Sequence, residues 1–263
     1  RSAFRRFRWE PRSRSRLCSR LPDSPLSAFD WLTRRPIAHR GLHDGNKTIA
    51  ENSMAAFRAA MEAGFAIECD IHIAADGVPV VFHDGDLSRM AGMETEVSSL
   101  GSAELGAIKL AGTQDGVPTL AALLELVAGR VPLVVEMKGT SAAADTGFVQ
   151  ALTPTIEAYD GPLALMSFDD WLLADALPLR RKVPLGLTAE GTRDEKLAAH
   201  RAIVERGCDF VSYNVHHLPN PFVEWVRQEL HLPVISWTVR TPDDVERSHT
   251  YVDQMTFEGF LPR

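Results

Sequence analysis

The stretch Ala66-Ile67-Glu68-Cys69-Asp70-Ile71-His72-Ile73 alternates at a period of two. Read as a strand, it puts Glu68 and Asp70 on one face and Cys69 on the other. Residues 133–138, Leu-Val-Val-Glu-Met-Lys, repeat the pattern: Glu136 and Lys138 share a face, and Met137 points away. Working outward, further short runs rich in Val, Ile and Leu predict strands near Pro36–His39, Leu163–Phe168, Val183–Thr188, Phe210–Asn214, Pro233–Thr238 and Gln254–Phe257. Helical patterns lie between them, near Ser53–Ala63, Thr119–Ala128, Asp145–Tyr159, Asp170–Leu177, Asp194–Arg206, Pro221–Leu230 and Pro242–Thr250. Asn52 or Ser53 is placed to cap the first helix, Thr119 follows Pro118, and Thr241-Pro242-Asp243-Asp244 puts Pro in the first turn with acids behind it. Eight strands with crossover helices in about 230 residues predict an α/β fold of the parallel (β/α)8 (TIM) barrel type, whose usual length is about 250. A doubly wound open sheet is the competing architecture, weakened by the lack of a glycine-rich phosphate loop after the first strand.

Two departures from an ideal barrel are expected. Little chain follows strand eight, so the eighth helix is reduced or missing, and the segment before Pro36 is available to cover the gap. After strand two, Asp76-Gly77 turns the chain into Pro79-Val80-Val81-Phe82-His83, and residues 85–118 form a small cap-like insertion with a short helix near Ser102–Ile108.

Charge divides the chain. Eight of the first twenty residues are Arg against one acid, Glu10. The rest holds 20 Lys and Arg against 34 Asp and Glu, a formal charge of about −14, which repels nucleic acid and anionic membrane surfaces except where cations concentrate locally. Residues 1–26 are therefore read as a basic, disordered N-terminal extension, or an upstream stretch foreign to the native protein, and 27–263 as one barrel domain. The Arg- and Ser-rich leader is also similar to an organelle transit segment, and it lacks the apolar stretch of a secretory signal. No apolar run approaches the ~18 residues of a membrane span. The three cysteines, Cys18, Cys69 and Cys208, are odd in number and scattered. They fit neither a disulfide framework nor a zinc site, and point to reduced thiols in a cytoplasmic compartment.

In barrels of this kind catalytic groups stand at the C-terminal ends of strands. Here those ends read His39-Arg40, Glu68-Cys69-Asp70, Glu136-Met137-Lys138, Ser167, Thr188, Asn214, Trp237 and Glu258. Three carboxylates buried close together need protons or a cation, so a hard divalent metal follows from the same geometry. A structural salt-bridge network with Arg40 and Lys138 is the competing reading. Two histidines among cations and carboxylates outline phosphodiester chemistry.

These residues resemble the glycerophosphodiester phosphodiesterase family. The resemblance runs from Pro36 to about residue 240. It is carried by His39-Arg40-Gly41, Glu51-Asn52, Glu68-x-Asp70, Asp76-Gly77-x-Pro79-Val80-Val81-x-His83-Asp84, Pro118-Thr119-Leu120, Glu136-x-Lys138, Ser167-Phe168 and Trp237-Thr238-Val239. It implies a metal, Mg2+ or Ca2+, on Glu68, Asp70 and Glu136, and His39 and His83 as the acid-base pair. Arg40 and Lys138 would grip the phosphate, with Trp237 and Phe168 as an apolar wall and Glu51 and Asn52 behind the site. The expected reaction is hydrolysis of a small-molecule glycerophosphodiester to an alcohol and sn-glycerol 3-phosphate. A lysophospholipase D acting on lysolipids and a noncatalytic phosphoester-binding barrel are the alternatives. The chain departs from the family pattern at Arg240, where the tryptophan motif usually continues to Asn, and at Phe257-Glu258-Gly259-Phe260, where a Thr-Asp pair is common.

Overall fold

The computed structural model describes residues 5–7 and 29–262. Apart from 5–7, the basic extension expected over residues 1–26 lies outside the described residues. Eight parallel strands form the barrel: β1 (Ile37–Ala38), β2 (Ala66–Ile73), β3 (Leu133–Met137), β4 (Leu163–Ser167), β5 (Leu185–Ala189), β6 (Phe210–Asn214), β7 (Val234–Val239) and β8 (Gln254–Phe257). Each pairs with its chain neighbour, and β1 closes the ring by pairing with both β2 and β8. The predicted helices are found at Met54–Glu62, Leu120–Val127, Phe148–Glu157, Asp170–Ala176, Asp194–Glu205, Pro221–Gln228 and Pro242–Tyr251.

The strands read as near-continuous apolar runs because both faces are covered. Outward residues, including Cys69 and Met137 as their parity required, join the large cluster shared with the helices. Inward residues Ile37, Ala66, Val134, Ala164, Met166, Phe210 and Ile235 fill the barrel interior together with Leu32, from the 3-10 turn Asp30–Thr33 ahead of β1. Gly186 makes room there, because a Cβ on it would clash with the ring of Phe210, its register partner.

Local signals set the helix starts. Ser53 Oγ accepts from Ala56 N–H, Thr119 Oγ1 from Ala122 N–H, and Thr241 with Asp244 makes a reciprocal capping box. The third long helix starts three residues later than its apolar pattern, because Asp145 turns back to accept from Thr140 N–H and Trp171 Nε1–H, and Gly147 takes the capping position at φ 90°.

The expected insertion after β2 is present. Among the described residues no helix follows β8. The chain runs into a short strand, Phe260–Pro262, which pairs in parallel with Arg5–Phe7. After β2 the Asp76-Gly77 turn leads into an antiparallel strand, Pro79–Val81, then helices Ser88–Ala91 and Ser102–Ala107, packed on a small core of their own. Among the described residues no helix is long and apolar enough to cross a membrane.

Candidate active site

The C-terminal ends of β1, β2, β3 and β7, with the loops that follow them, deliver polar residues to one cavity of about 200 Å3, whereas Ser167, Thr188, Asn214 and Glu258, also at strand ends, are not among its lining residues. His39, Arg40, Glu68, Asp70, His83, Glu136, Lys138, Phe168 and Trp237 all line it, with Thr238, Arg240, Met166 and Thr256. Glu51 and Asn52 stand behind, as expected: Asn52 Nδ2–H donates to Asp70 Oδ2 at 2.9 Å, and Glu51 Oε1 accepts from Arg40 Nη1–H at 2.7 Å. The loop after β1 is shaped for this. Arg40 and Asn52 hold left-handed backbone at φ 54° and 53°, and Gly41 follows at φ 78° with the first helix directly against its Cα. That geometry turns Arg40 N–H onto Glu68 Oε2 at 2.9 Å.

Glu68, Asp70 and Glu136 are buried, and one carboxylate oxygen from each lies within 4.8 Å of the others. The salt-bridge network foreseen as the competing reading exists. Lys138 Nζ lies 2.6 Å from Glu136 Oε1 and 3.0 Å from Asp70 Oδ1, and Arg40 Nε lies 3.3 Å from Asp70 Oδ2. It does not balance. When ionised, the three carboxylates outnumber Lys138 and Arg40, Arg40 is shared with Glu51 at 2.7 Å, and Glu68 Oε1 is buried with no hydrogen-bond partner. Burial, reinforced by Asp70 and Glu136, pushes the Glu68 carboxyl well above its ordinary range. Burial also raises Glu136 to about 7, against the pull of Lys138. Asp70 is held low, because Lys138 and Arg40 outweigh the cost of its burial. This donor set fits a hard divalent cation: all-oxygen ligands, an orphaned buried acceptor and an uncompensated charge.

Both histidines are oriented by carboxylates. His39 Nδ1 lies 2.7 Å from Glu258 Oε2, and His83 Nδ1 lies 2.6 Å from Asp84 Oδ1. Burial works against ionisation of Glu258, yet the hydrogen bonds from His39 and Arg240 bring it down to about 2. Asp84 is likewise low, held there by Arg89 and His83 against its burial. An ionised carboxylate can only accept, so Nδ1 carries the proton in both rings and Nε2 is left for proton transfer. Burial pushes both imidazoles toward the neutral form. His72, at the parity of Glu68 and Asp70, places its Nε2 3.1 Å from His83 O and so holds the backbone of the second histidine. On the far wall, Phe168 and Trp237 meet edge to face at 5.4 Å, and Lys138 Nζ lies 6.0 Å from the Phe168 ring centre.

Arg89 escaped sequence reasoning altogether, and Glu258, Asp84 and Arg240 were named there without the roles they take here. Glu258 was visible as a polar strand end and as a departure from the family pattern, with nothing to mark it as the partner of His39. The two departures from the family pattern touch each other, with Arg240 Nη2–H donating to Glu258 Oε2 at 3.0 Å. Arg89, on the first helix of the insertion, forks onto both Asp84 and Glu51.

Comparison with known proteins finds phosphodiesterases of this kind among the relatives. A glycerophosphodiester phosphodiesterase from Caldanaerobacter subterraneus subsp. tengcongensis is 28% identical over 223 residues, 80% of this chain and 88% of that protein. A lysophospholipase D from Rattus norvegicus is 34% identical over 117 residues, 40% of this chain and 36% of that protein. The structure of an Oleispira antarctica phosphodiesterase in complex with the product sn-glycerol-3-phosphate superposes with a TM-score of 0.74, at 21% identity, over 87% of this chain and 94% of that one. That last likeness is one of fold. The glycerophosphoryl diester phosphodiesterase family model matches residues 39–260, and the chain belongs to that family.

Proposed function

We propose that the cavity hydrolyses glycerophosphodiesters to an alcohol and sn-glycerol 3-phosphate, with His39 and His83 moving the protons and a divalent ion, Mg2+ or Ca2+, on Glu68, Asp70 and Glu136. The observation that carries this reading is the pairing of two carboxylate-oriented histidines with a buried acidic cluster in which one carboxylate oxygen has no partner. When bound, the ion supplies Lewis-acid polarisation of a phosphoryl oxygen. Arg40 and Lys138, already in the cavity wall, offer a fork and a point charge to the remaining oxygens. One Nε2 accepts the proton of the attacking hydroxyl, from water directly or from the glycerol moiety; in the second case the alcohol leaves a cyclic phosphate, which water then opens, with the two rings exchanging roles, to give sn-glycerol 3-phosphate. The other ring, protonated beside the incoming phosphate anion, delivers a proton to the departing alcohol. Each transfer contributes on the order of 10²- to 10⁴-fold. Trp237 and Phe168 wall the apolar side of the glycerol backbone or head group.

The test is release of sn-glycerol 3-phosphate from glycerophosphocholine by the wild type, His39→Ala and His83→Ala, each checked by thermal melting. Both variants are expected to fall at least about 100-fold while melting as the wild type does. Near-normal turnover in either one overturns its assignment. A lysophosphatidylcholine arm, read by free choline, addresses the alternative raised by the partial likeness to a lysophospholipase D. Activity confined to that arm replaces the soluble diester as substrate.

A further inference from the structure

Arg89 belongs to the insertion and not to the cavity wall, yet its guanidinium holds two carboxylates at once. Nε–H and Nη2–H donate to Asp84 at 2.6 and 3.1 Å, and Nη1–H and Nη2–H to Glu51 at 3.0 and 2.7 Å. Each carboxylate then orients a different group of the site. Asp84 accepts from His83 Nδ1–H at 2.6 Å. Glu51, buried and also held by Asn46 Nδ2–H at 2.8 Å, accepts from Arg40 Nη1–H at 2.7 Å. Asp84 and Glu51 come from loops 33 positions apart in the chain, and among the described residues Arg89 is the side chain that bonds to both.

We propose that Arg89 is a positioning residue: through Asp84 it sets the ring of His83, and through Glu51 the guanidinium of Arg40, so that docking of the insertion aligns the proton-transfer group with the phosphate-binding cation. This rests on the roles given to His83 and Arg40 under Proposed function. The bland competitor is an ordinary surface ion pair, since the Arg89 side chain is 45% exposed. Exposed pairs contribute little to stability. The two readings therefore part on activity against stability. Lysine is a point charge on a flexible stem and cannot reproduce two forks.

The experiment measures kcat and KM for sn-glycerol 3-phosphate release from glycerophosphocholine, with thermal melts, in Arg89→Gln, Arg89→Lys, Asp84→Asn, Glu51→Gln and the double variant Asp84→Asn/Arg89→Gln. We expect Arg89→Gln to lower kcat by about 10- to 100-fold, the range seen when the partner of an oriented ligand is removed, with a melting point within a few degrees of wild type. Arg89→Lys is expected not to restore the rate, and it keeps the test alive if the Gln variant fails to fold. Asp84→Asn should act on kcat and Glu51→Gln chiefly on KM. The double variant should be no more than about twofold worse than its poorer parent, because both changes break one chain. Wild-type kcat in Arg89→Gln, full rescue by Lys, losses that follow the melting points, or additive losses in the double variant each overturn the proposal. His83→Ala, run beside these, separates the two levels. If it stays active, the role of His83 falls; if it is dead while Arg89→Gln works normally, only the role of Arg89 falls.

Discussion

Replacing Gly41 by Ala tests why the loop that carries His39 and Arg40 has its shape. Gly41 sits at φ 78°, and a Cβ there would lie 2.8 Å from Ala56 Cβ and 2.9 Å from the Ala56 carbonyl carbon. Two costs add. Left-handed backbone at a non-glycine residue costs roughly 1–2 kcal/mol. Overpacking against a helix backbone that has no rotamer to change costs roughly a further 1–3 kcal/mol. The sum is about 2–5 kcal/mol, a large fraction of the stability of an ordinary domain. Gly45 is the internal control: its φ is 77°, but nothing lies within 4 Å of its virtual Cβ. Gly45→Ala should therefore lose only the backbone part, about 1–2 kcal/mol. Urea unfolding of both variants, with activity measured beside it, gives the comparison. Because Leu42 N–H donates to Ala56 O across the same contact, Gly41→Ala should also cost activity by shifting Arg40. Equal losses in the two variants would refute the steric argument and leave backbone conformation as the whole reason for glycine.

Other expectations follow from the acidic cluster and the cavity wall. Glu68→Gln should raise the melting point in excess chelator, since it removes a buried acid that repels Asp70 and Glu136, while abolishing ion binding; a lower melting point would contradict the electrostatic account. Glu136 is raised in the folded state, so the folded protein binds the proton that the unfolded chain has already released. Chelated protein should thus lose stability as pH rises from about 4.5 to about 7, and Glu136→Gln should flatten that slope in denaturant melts. Glu51 has the opposite sign. Burial works against its charge, but Arg89 and Arg40 hold it low, so its contribution is full above the ordinary glutamate range and is lost as pH falls below it. Trp237→Ala should raise KM more than it lowers kcat, because the ring packs on Phe168 and does not exchange protons.

Much of this molecule was legible because barrel strands carry two signals at once. The run 133–137 is apolar where it is covered on both faces, and its parity assigns Glu136 inward and Met137 outward, as found. Ends marked by caps, such as Thr119 and Thr241, fell where local chemistry put them. The third long helix did not, because Asp145 serves Thr140 and Trp171 across the strand ends, a contact that local periodicity does not encode. The same reason hid the orienting carboxylates. Glu258 reaches His39 across 219 positions of sequence and Arg89 reaches Glu51 across 38. Barrel closure and docking of the insertion create those neighbours. His83 and Asp84 are adjacent in sequence, and their pairing was within reach of sequence reasoning. What the sequence lacks is the second fork of Arg89, which makes that pair part of a chain.

The central claim, an ion held by Glu68, Asp70 and Glu136 in a working phosphodiesterase site, is tested most directly by titrating Mg2+ and then Ca2+ into chelated protein. Heat of binding and release of sn-glycerol 3-phosphate from glycerophosphocholine are followed together. The account predicts that release rises in step with occupancy of the cluster by at least one of the two ions, and that Glu68→Gln loses both signals. Full release in excess chelator, or ion binding untouched by Glu68→Gln, would contradict it.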